Sequence, residues 1–260
     1  MPGSGKYRVV IAYDGTNYSG WQFQTNAVGI QQVVEDVLAD LEGEPVRVFG
    51  SSRTDAGVHA RGFVAHFSLT KPIPPKNLVR AMNARLPDAV RVLRAAYAAP
   101  GFDARLSAKG KEYRYHLYQA DIMPPHMAPY WAFCHRPLDL EAMRRAAANF
   151  VGRHDFAAFA ANPNRELEST VRRVFSFDVR KSGHRYVFVV RGDGFLYKQV
   201  RSMVGFLIAV GKGREKPSAV RELLKANTPR TARVETAPAR GLFLWRVFYT
   251  DRAATAGRAR

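Results

Sequence analysis

Residues 45–69, PVRVFGSSRTDAGVHARGFVAHFSL, contain two strand-like segments joined by a glycine-rich loop. PVRVFGSS and RGFVAHFSL combine β-branched and aromatic residues, which favour strands. The loop between them has few apolar residues, and Asp55 is its one carboxylate. We therefore predict two neighbouring strands with a functional loop at their junction.

The flanking segments extend this pair to a unit of six elements. Before it, KYRVVIAY (6–13) is strand-like, and apolar residues recur at helical spacing in 29–43, where Gly43 ends the predicted helix. After it, 74–86 begins with proline, which suits a first helical turn, and 89–97 is strand-like. The order βαββαβ predicts a ferredoxin-like unit.

The second half of the chain shows the same order of elements, although not the same residues. We predict strands at 111–118, 169–180, 184–192 and 241–249, and helices at 139–152 and 196–211. Asp139 is the predicted cap of the first helix, and Ser218 in KPSAV (216–220) is the predicted cap of a further short helix. The predicted fold class is α+β, with two ferredoxin-like halves side by side and a central basic cleft. The predicted domains are 1–107 and 108–250, followed by a disordered basic tail at 251–260.

The chain is strongly basic. Its 260 residues include 40 Lys and Arg against 22 Asp and Glu, which gives a net charge of +18 and a pI near 10.4. Such a charge attracts polyanions, so nucleic acid is the leading partner. Alternatively, a GC-rich genome raises the arginine content without a functional cause. A membrane surface is the weaker candidate, because no predicted helix is apolar on one side and basic on the other.

Cysteine content and hydrophobicity indicate the compartment. Cys134 is the single cysteine, which excludes an internal disulfide, and no spaced Cys and His pairs predict a metal site. The longest apolar run, 203–210, is much shorter than the ~20 residues of a membrane helix, and the N-terminus has no apolar signal segment. We expect a cytoplasmic protein without metal, small-molecule cofactor or membrane contact.

The segment RGFVAHF (61–67) partly matches the aromatic strand of RNA-recognition modules. Phe63 and Phe67 could stack on RNA bases in such a module. Alternate apolar residues on a strand more often face a core, however. We favour the core interpretation for both residues.

Asp55 has two interpretations. An aspartate in a glycine loop commonly caps a backbone amide in a turn. A carboxylate among fixed cations such as Arg53 also stays ionised and can act as a nucleophile or base. A negative group in an RNA-binding region repels phosphate, which favours a chemical role over simple binding.

Five segments share the pattern of one enzyme family. They are YDGTNYSGWQFQ (13–24), GSSRTDAGVHARG (50–62), KEYRYHLY (111–118), GDGFLYKQVRSMVG (192–205) and APARGLFL (237–244). In this order and spacing they resemble the tRNA pseudouridine synthase A family over nearly the whole chain. The string SRTDAGVHA alone is highly specific.

The resemblance implies a role for each of five residues. Asp55 matches the catalytic aspartate, which attacks the target nucleoside so that uracil detaches, rotates and rejoins through carbon 5. Tyr113 matches the tyrosine that stacks on the target base and is a candidate for removing the carbon 5 proton. Arg201 matches the arginine that pairs with the aspartate. Arg53 matches a residue that helps hold the target nucleotide out of the stack, and Leu242 matches an apolar residue that packs against the flipped base. His59, four residues after Asp55, is a further candidate for contact with the substrate.

The resemblance further implies a homodimer that modifies uridines 38, 39 and 40 of the tRNA anticodon arm without a cofactor. It leaves open whether Asp55 attacks the base or the sugar. One alternative is a non-catalytic RNA-binding protein with twin recognition modules. Another is a methyltransferase, which is disfavoured because no glycine-rich loop follows a first strand.

Overall fold

The computed structural model of the chain describes residues 5–161, 169–225 and 227–251. Apart from Asp251, the predicted tail at 251–260 lies outside these residues. The chain divides into two compact units. Unit 1 comprises Met1–Ala108 with Phe243–Tyr249, and unit 2 comprises Lys109–Leu242 with Thr250–Arg260.

The described residues form strands and helices in the mixture expected of an α+β protein. The strands are β1 (Lys6–Tyr13), β2 (Phe49–Gly50), β3 (His59–Ser68), β4 (Val90–Tyr97), β5 (Gly110–Gln119), β6 (Ala132–Cys134), β7 (Gly152–Asp155), β8 (Val171–Ser182), β9 (Arg185–Gly192) and β10 (Leu242–Phe248). The α-helices are α1 (Ile30–Glu42), α2 (Pro75–Asn83), α3 (Leu140–Ala148), α4 (Gln199–Gly211) and α5 (Ala219–Leu223). The predicted α+β class is confirmed.

Unit 1 contains the predicted βαββαβ order. In its sheet β1 lies between β3 and β4 and is antiparallel to both, while β2 is antiparallel to β3. Helix α1 ends at Gly43, whose φ of 86° is left-handed backbone that favours glycine. Phe63 and Phe67 of β3 are fully buried, so the core interpretation of these two residues is confirmed.

The strand predicted at 45–52 is much shorter in the structure. It pairs with β3 only at Phe49–Gly50. The amide of Val48 donates to Glu35 Oε1 (2.9 Å), and its carbonyl accepts from Gln31 Nε2 (3.1 Å). Because side chains of α1 bond both backbone groups of Val48, the strand does not extend through it.

The last strand pairs with a strand of unit 1. The sequence predicts residues 241–249 as part of the second half. In the structure β10 pairs in parallel with β3, with Phe243 opposite His59 and Leu244 opposite Ala60. Residues 243–249 consequently belong to unit 1, since a strand pattern does not specify which strand it will join.

Unit 2 has a sheet in the order β6-β5-β9-β8-β7. Strand β9 is antiparallel to β5 and β8, β7 is antiparallel to β8, and β6 is parallel to β5. Helix α3 packs against β8 and α4. The short strands β6 and β7 were not predicted, because three or four residues are too few to show a periodic pattern.

The two predicted helix caps have different outcomes. Asp139 caps α3, since its Oδ1 accepts a hydrogen bond of 2.8 Å from the amide of Ala142. Ser218 precedes α5 but makes no capping bond through its side chain, and its own backbone is already helical. The Asp139 prediction is confirmed, whereas Ser218 is at the predicted N-cap position of α5 but makes no side-chain capping bond. A helix that could cross a membrane is not found among the described residues.

Candidate active site

Asp55 lies in the loop between β2 and β3 of unit 1, and it is half-buried beside the exposed Arg53. The amide of Val58 donates to the carbonyl of Asp55 (3.1 Å), which closes a tight turn. Gly57 at the third position of this turn has a φ of 73°, a conformation that favours glycine. The sequence DAGV therefore folds as a turn with the carboxylate on its first residue.

The segment that follows β1 holds this loop through hydrogen bonds. The amide of Trp21 donates to the carbonyl of Thr54 (3.2 Å), and the amide of Gly57 donates to the carbonyl of Tyr18 (3.2 Å). The hydroxyls of Tyr13 and Thr54 are hydrogen-bonded at 2.9 Å and are buried. Hydrogen bonds at Thr54 and at Gly57 thus fix the backbone on both sides of Asp55.

Two glycines allow the close approach of the two segments. A Cβ at Gly20 would lie 2.2 Å from the carbonyl oxygen of Thr54, and a Cβ at Gly15 would lie 2.1 Å from that of Val58. Gly20 also has a φ of 94°. Backbone therefore packs directly on backbone at both ends of the Asp55 turn, where no side chain fits.

His59, predicted to contact the substrate, is 1% exposed. Its Nδ1 accepts a hydrogen bond from the amide of Gly15 (3.1 Å) and lies 3.1 Å from Asp14 Oδ1. Its ring stacks on Phe243 at 4.6 Å between centroids. The ring of His59 is therefore enclosed by these groups at the end of the loop, and its contact with the substrate stays a prediction.

Tyr113 lies on β5 of unit 2 and is buried, with its ring edge-to-face against Phe195 at 5.4 Å. The preceding residue, Glu112, is 2% exposed and binds two arginines. Its Oε1 accepts from Arg114 Nε (2.8 Å) and its Oε2 from Arg191 Nε (2.7 Å). Since Arg114 is on β5 and Arg191 on β9, this carboxylate fixes the two strands next to Tyr113.

Arg201 lies in the first turn of α4 and is half-buried. Its Nε donates to the carbonyl of Ala237 (2.8 Å), whose amide donates back to the carbonyl of Arg201 (3.0 Å). Gly205, one turn later, meets the same segment, since a Cβ there would lie 2.1 Å from the carbonyl oxygen of Glu235. These contacts hold the segment before β10 against α4.

Tyr115 connects β5 with this segment, because its hydroxyl donates to the carbonyl of Pro238 (3.0 Å). Burial raises the pKa of Tyr115 well above its usual value, although the charges of Arg201 and Arg240 act in the opposite direction. Tyr115 therefore stays protonated as a hydrogen-bond donor. Leu242 at the start of β10 is buried.

The structure places the predicted site residues in two groups. Unit 1 contains Arg53, Asp55 and His59 on one loop, and unit 2 contains Tyr113, Arg201 and Leu242. A surface cavity of about 650 Å³ in unit 1 includes none of the six in its lining. The described residues contain no group of three or more His, Cys, Asp or Glu that could hold a metal ion.

Sequence reasoning missed the residues that hold the Asp55 loop. Tyr13, Gly15 and Gly20 occur in the quoted motif YDGTNYSGWQFQ, but we gave them no role. Two glycines five residues apart in an otherwise polar segment were the available signal, because glycine permits close backbone contact. The contact partner on the other loop was not predictable from that spacing.

The comparisons with known proteins agree with each other. The family model described as tRNA pseudouridine synthase matches residues 9–105 and 146–250. The chain is 43% identical to tRNA pseudouridine synthase A of Exiguobacterium sp. over 244 residues, which cover 94% of this chain and 98% of the relative. It is 45% identical to that of Geotalea uraniireducens (93% and 98% covered) and 44% identical to that of Syntrophotalea carbinolica (96% and 98% covered).

Proposed function

The chain belongs to the tRNA pseudouridine synthase family, and from this premise we propose that it isomerises uridine to pseudouridine in tRNA. The single observation that carries the proposal is the agreement of the family model and the relatives over nearly the whole chain. The net charge of +18 suits a polyanionic substrate.

The reaction conserves all atoms of the nucleoside. The bond between N1 of uracil and C1′ of the ribose breaks, the base rotates, and a bond from C5 to C1′ forms, while C5 loses a proton and N1 gains one. We assign Asp55 as the group that attacks the nucleoside, either at the base or at the sugar. A target uridine in an RNA stem must first be extruded from the stack.

The other roles follow from the same motifs. Tyr113 stacks on the extruded base, an interaction of ~1–3 kcal/mol per base in proteins that bind single strands. Arg201 orients the Asp55 carboxylate, Arg53 holds the target nucleotide out of its stack, and Leu242 packs against the base. These assignments come from the resemblance; Tyr113, Arg201 and Leu242 lie on β5, α4 and β10, and Arg53 lies on the Asp55 loop.

The finer substrate and assembly assignments are also proposals. We propose uridines 38, 39 and 40 of the anticodon arm as the targets, a homodimer as the active form, and the cytoplasm as the site of action. A homogeneous tRNA transcript with uridine at one of these positions tests the target positions. Light scattering of the free and tRNA-bound protein tests the homodimer.

Tritium release tests the reaction. Unmodified tRNA labelled with tritium at carbon 5 of uracil loses the label when C5 bonds to C1′. We expect release with the wild type, none with Asp55→Asn, and wild-type release with the matched control Asp40→Asn, whose carboxylate is on the surface and pairs with Arg85. Wild-type protein that binds tRNA without releasing tritium would instead indicate the non-catalytic RNA-binding alternative.

Affinity for tRNA should depend steeply on salt. Each phosphate that a cation neutralises contributes ~0.7–0.9 to the slope of log affinity against log salt concentration. With a net charge of +18 we expect a slope of several units in filter-binding assays. A flat dependence would show that the basic composition has no role in binding.

A further inference from the structure

Strand β3 contains an irregularity six to seven residues after Asp55. Ile11 of β1 pairs with Phe63, but Tyr13 pairs with Ala60, so β3 has one extra residue at 61–62. Such a β-bulge changes the direction of a side chain and is frequent next to active sites.

Arg61, the first residue of this bulge, is exposed and lies over an aromatic ring of β10. Its guanidinium carbon is 4.5 Å from the centroid of the Trp245 indole. The two residues follow the last paired positions of the parallel strands, Ala60 and Leu244. A Cβ at Gly62 would be 2.6 Å from the carbonyl oxygen of Trp245, so the strands are in close contact here. The indole of Trp245 therefore lies directly beside the guanidinium.

The surroundings of Arg61 differ from those of Arg85 and Arg91, two other arginines of unit 1. Arg85 and Arg91 bond to the carboxylates of Asp40 and Asp88. In the described part of the chain, Arg61 forms no ion pair with a carboxylate. A guanidinium that stacks through its face keeps its in-plane N–H donors directed outward, where their fork geometry matches a phosphate.

We propose that Arg61 binds a phosphate of the tRNA backbone close to the target nucleotide, and that Trp245 orients it for this contact. The inference rests on the proposed function, since it assumes a tRNA substrate. It adds to that function a cation six residues after Asp55, held on the strand that the Asp55 loop enters. An oriented guanidinium restricts how the RNA backbone lies against this strand.

The test compares Arg61→Ala with the matched control Arg85→Ala. Both changes remove an exposed arginine of unit 1, but that of Arg85 is bonded to Asp40. We expect Arg61→Ala to weaken tRNA binding several-fold and to lower the salt slope by ~0.7–0.9, the contribution of one phosphate. Tritium release at saturating tRNA should stay near wild type. Arg61→Lys should restore the slope but only part of the affinity, because it keeps the charge without the planar fork.

Trp245 is tested through its coupling to Arg61. Trp245→Leu should cause part of the affinity loss in the wild-type background and none in Arg61→Ala. If Trp245→Leu does not fold, Trp245→Phe, which keeps an aromatic face, should bind nearly as wild type. If the losses of tRNA affinity in Trp245→Leu and Arg61→Ala were fully additive in the double variant, Trp245 would not orient Arg61.

The remaining outcomes decide the phosphate contact. If Arg61→Ala and Arg85→Ala had equal tRNA affinities and equal salt slopes, Arg61 would not contact a phosphate. The same conclusion would follow if Arg61→Ala lowered the turnover of bound tRNA at an unchanged tRNA affinity. If wild-type protein released no tritium while Arg61→Ala still lowered the slope, the proposed reaction would fail and the phosphate contact would stand.

Discussion

The close contact at Gly20 predicts that an added methyl group will displace the Asp55 loop. In Gly20→Ala the Cβ would be 2.2 Å from the carbonyl oxygen of Thr54 and 3.0 Å from the carbonyl carbon of Asp55. Ordinary contact requires a separation of more than 3 Å, so the two backbones must move apart by about 1 Å. Each backbone segment is also held by a hydrogen bond, because the Thr54 carbonyl accepts one from the amide of Trp21 and the Gly20 carbonyl accepts one from the amide of Ile30. Neither segment can therefore move alone.

Gly43→Ala is the matched control, because it separates backbone strain from this displacement. Gly43 has a φ of 86°, close to the 94° of Gly20, but a Cβ there would have no atom within 4 Å. We expect Gly43→Ala to lower the free energy of unfolding by ~1–2 kcal/mol, the cost of left-handed backbone for a residue with a Cβ. Gly20→Ala should lose a further ~1–3 kcal/mol from overpacking.

The effect on catalysis should be larger than the effect on stability. A displacement of about 1 Å at a reacting group can reduce the rate by ~100-fold. We therefore expect Gly20→Ala to release tritium ~100-fold more slowly in single-turnover assays with excess enzyme, while Gly43→Ala stays near wild type. Urea unfolding followed by circular dichroism gives the stabilities. If the two variants had equal stability and equal rates, the backbone contact would not position Asp55.

Two further predictions concern stability. Ser52→Ala should leave the free energy of unfolding unchanged or raise it, because this hydroxyl is buried without a hydrogen-bond partner among the described residues. Ser51→Ala, the control, should lose about 1 kcal/mol in urea unfolding, because the Ser51 hydroxyl accepts from the Val64 amide (3.3 Å). Desolvation opposes ionisation of Asp155, but hydrogen bonds from two backbone amides and a threonine hydroxyl lower its pKa below the usual value. The stabilisation that the ionised Asp155 carboxylate provides should be complete above the pKa of the unfolded chain and should disappear as the pH falls through the pKa of the folded protein. Asp155→Asn should therefore flatten the pH dependence of Tm between about pH 2 and 6. An unchanged pH dependence of Tm would contradict this.

Local signals predicted the elements of this fold better than their ends. The spacing of apolar residues predicts a helix at 196–211, and α4 forms at Gln199–Gly211. It begins three residues late because Lys198 has a φ of 57°, which is outside the helical region. The side chain of Gln199 also reaches back to accept from the amide of Leu196 (2.8 Å). Glutamine is not a typical start signal, so the sequence did not predict this boundary.

Tertiary contacts limited the prediction of the site in the same way. The composition of residues 50–62 indicated that Asp55 lies on a loop, and the structure contains that loop. The burial of His59 depends on Gly15 and Phe243, which are distant in sequence. No pattern around His59 specifies these partners, so the sequence did not predict that its ring is buried.

The bonds of the Asp55 loop also explain why Asp55→Asn can separate chemistry from folding. The turn forms through the carbonyl of Asp55 and the amide of Val58, and the neighbouring bonds use the backbone of Thr54 and Gly57. Asparagine keeps all of these backbone groups and nearly the same volume. Asp55→Asn should therefore melt close to wild type and bind tRNA at least as tightly, since a negative charge is removed from an RNA-binding protein. If it releases tritium above background while folded, Asp55 is not the nucleophile, whereas a large loss of stability would assign the carboxylate to the turn.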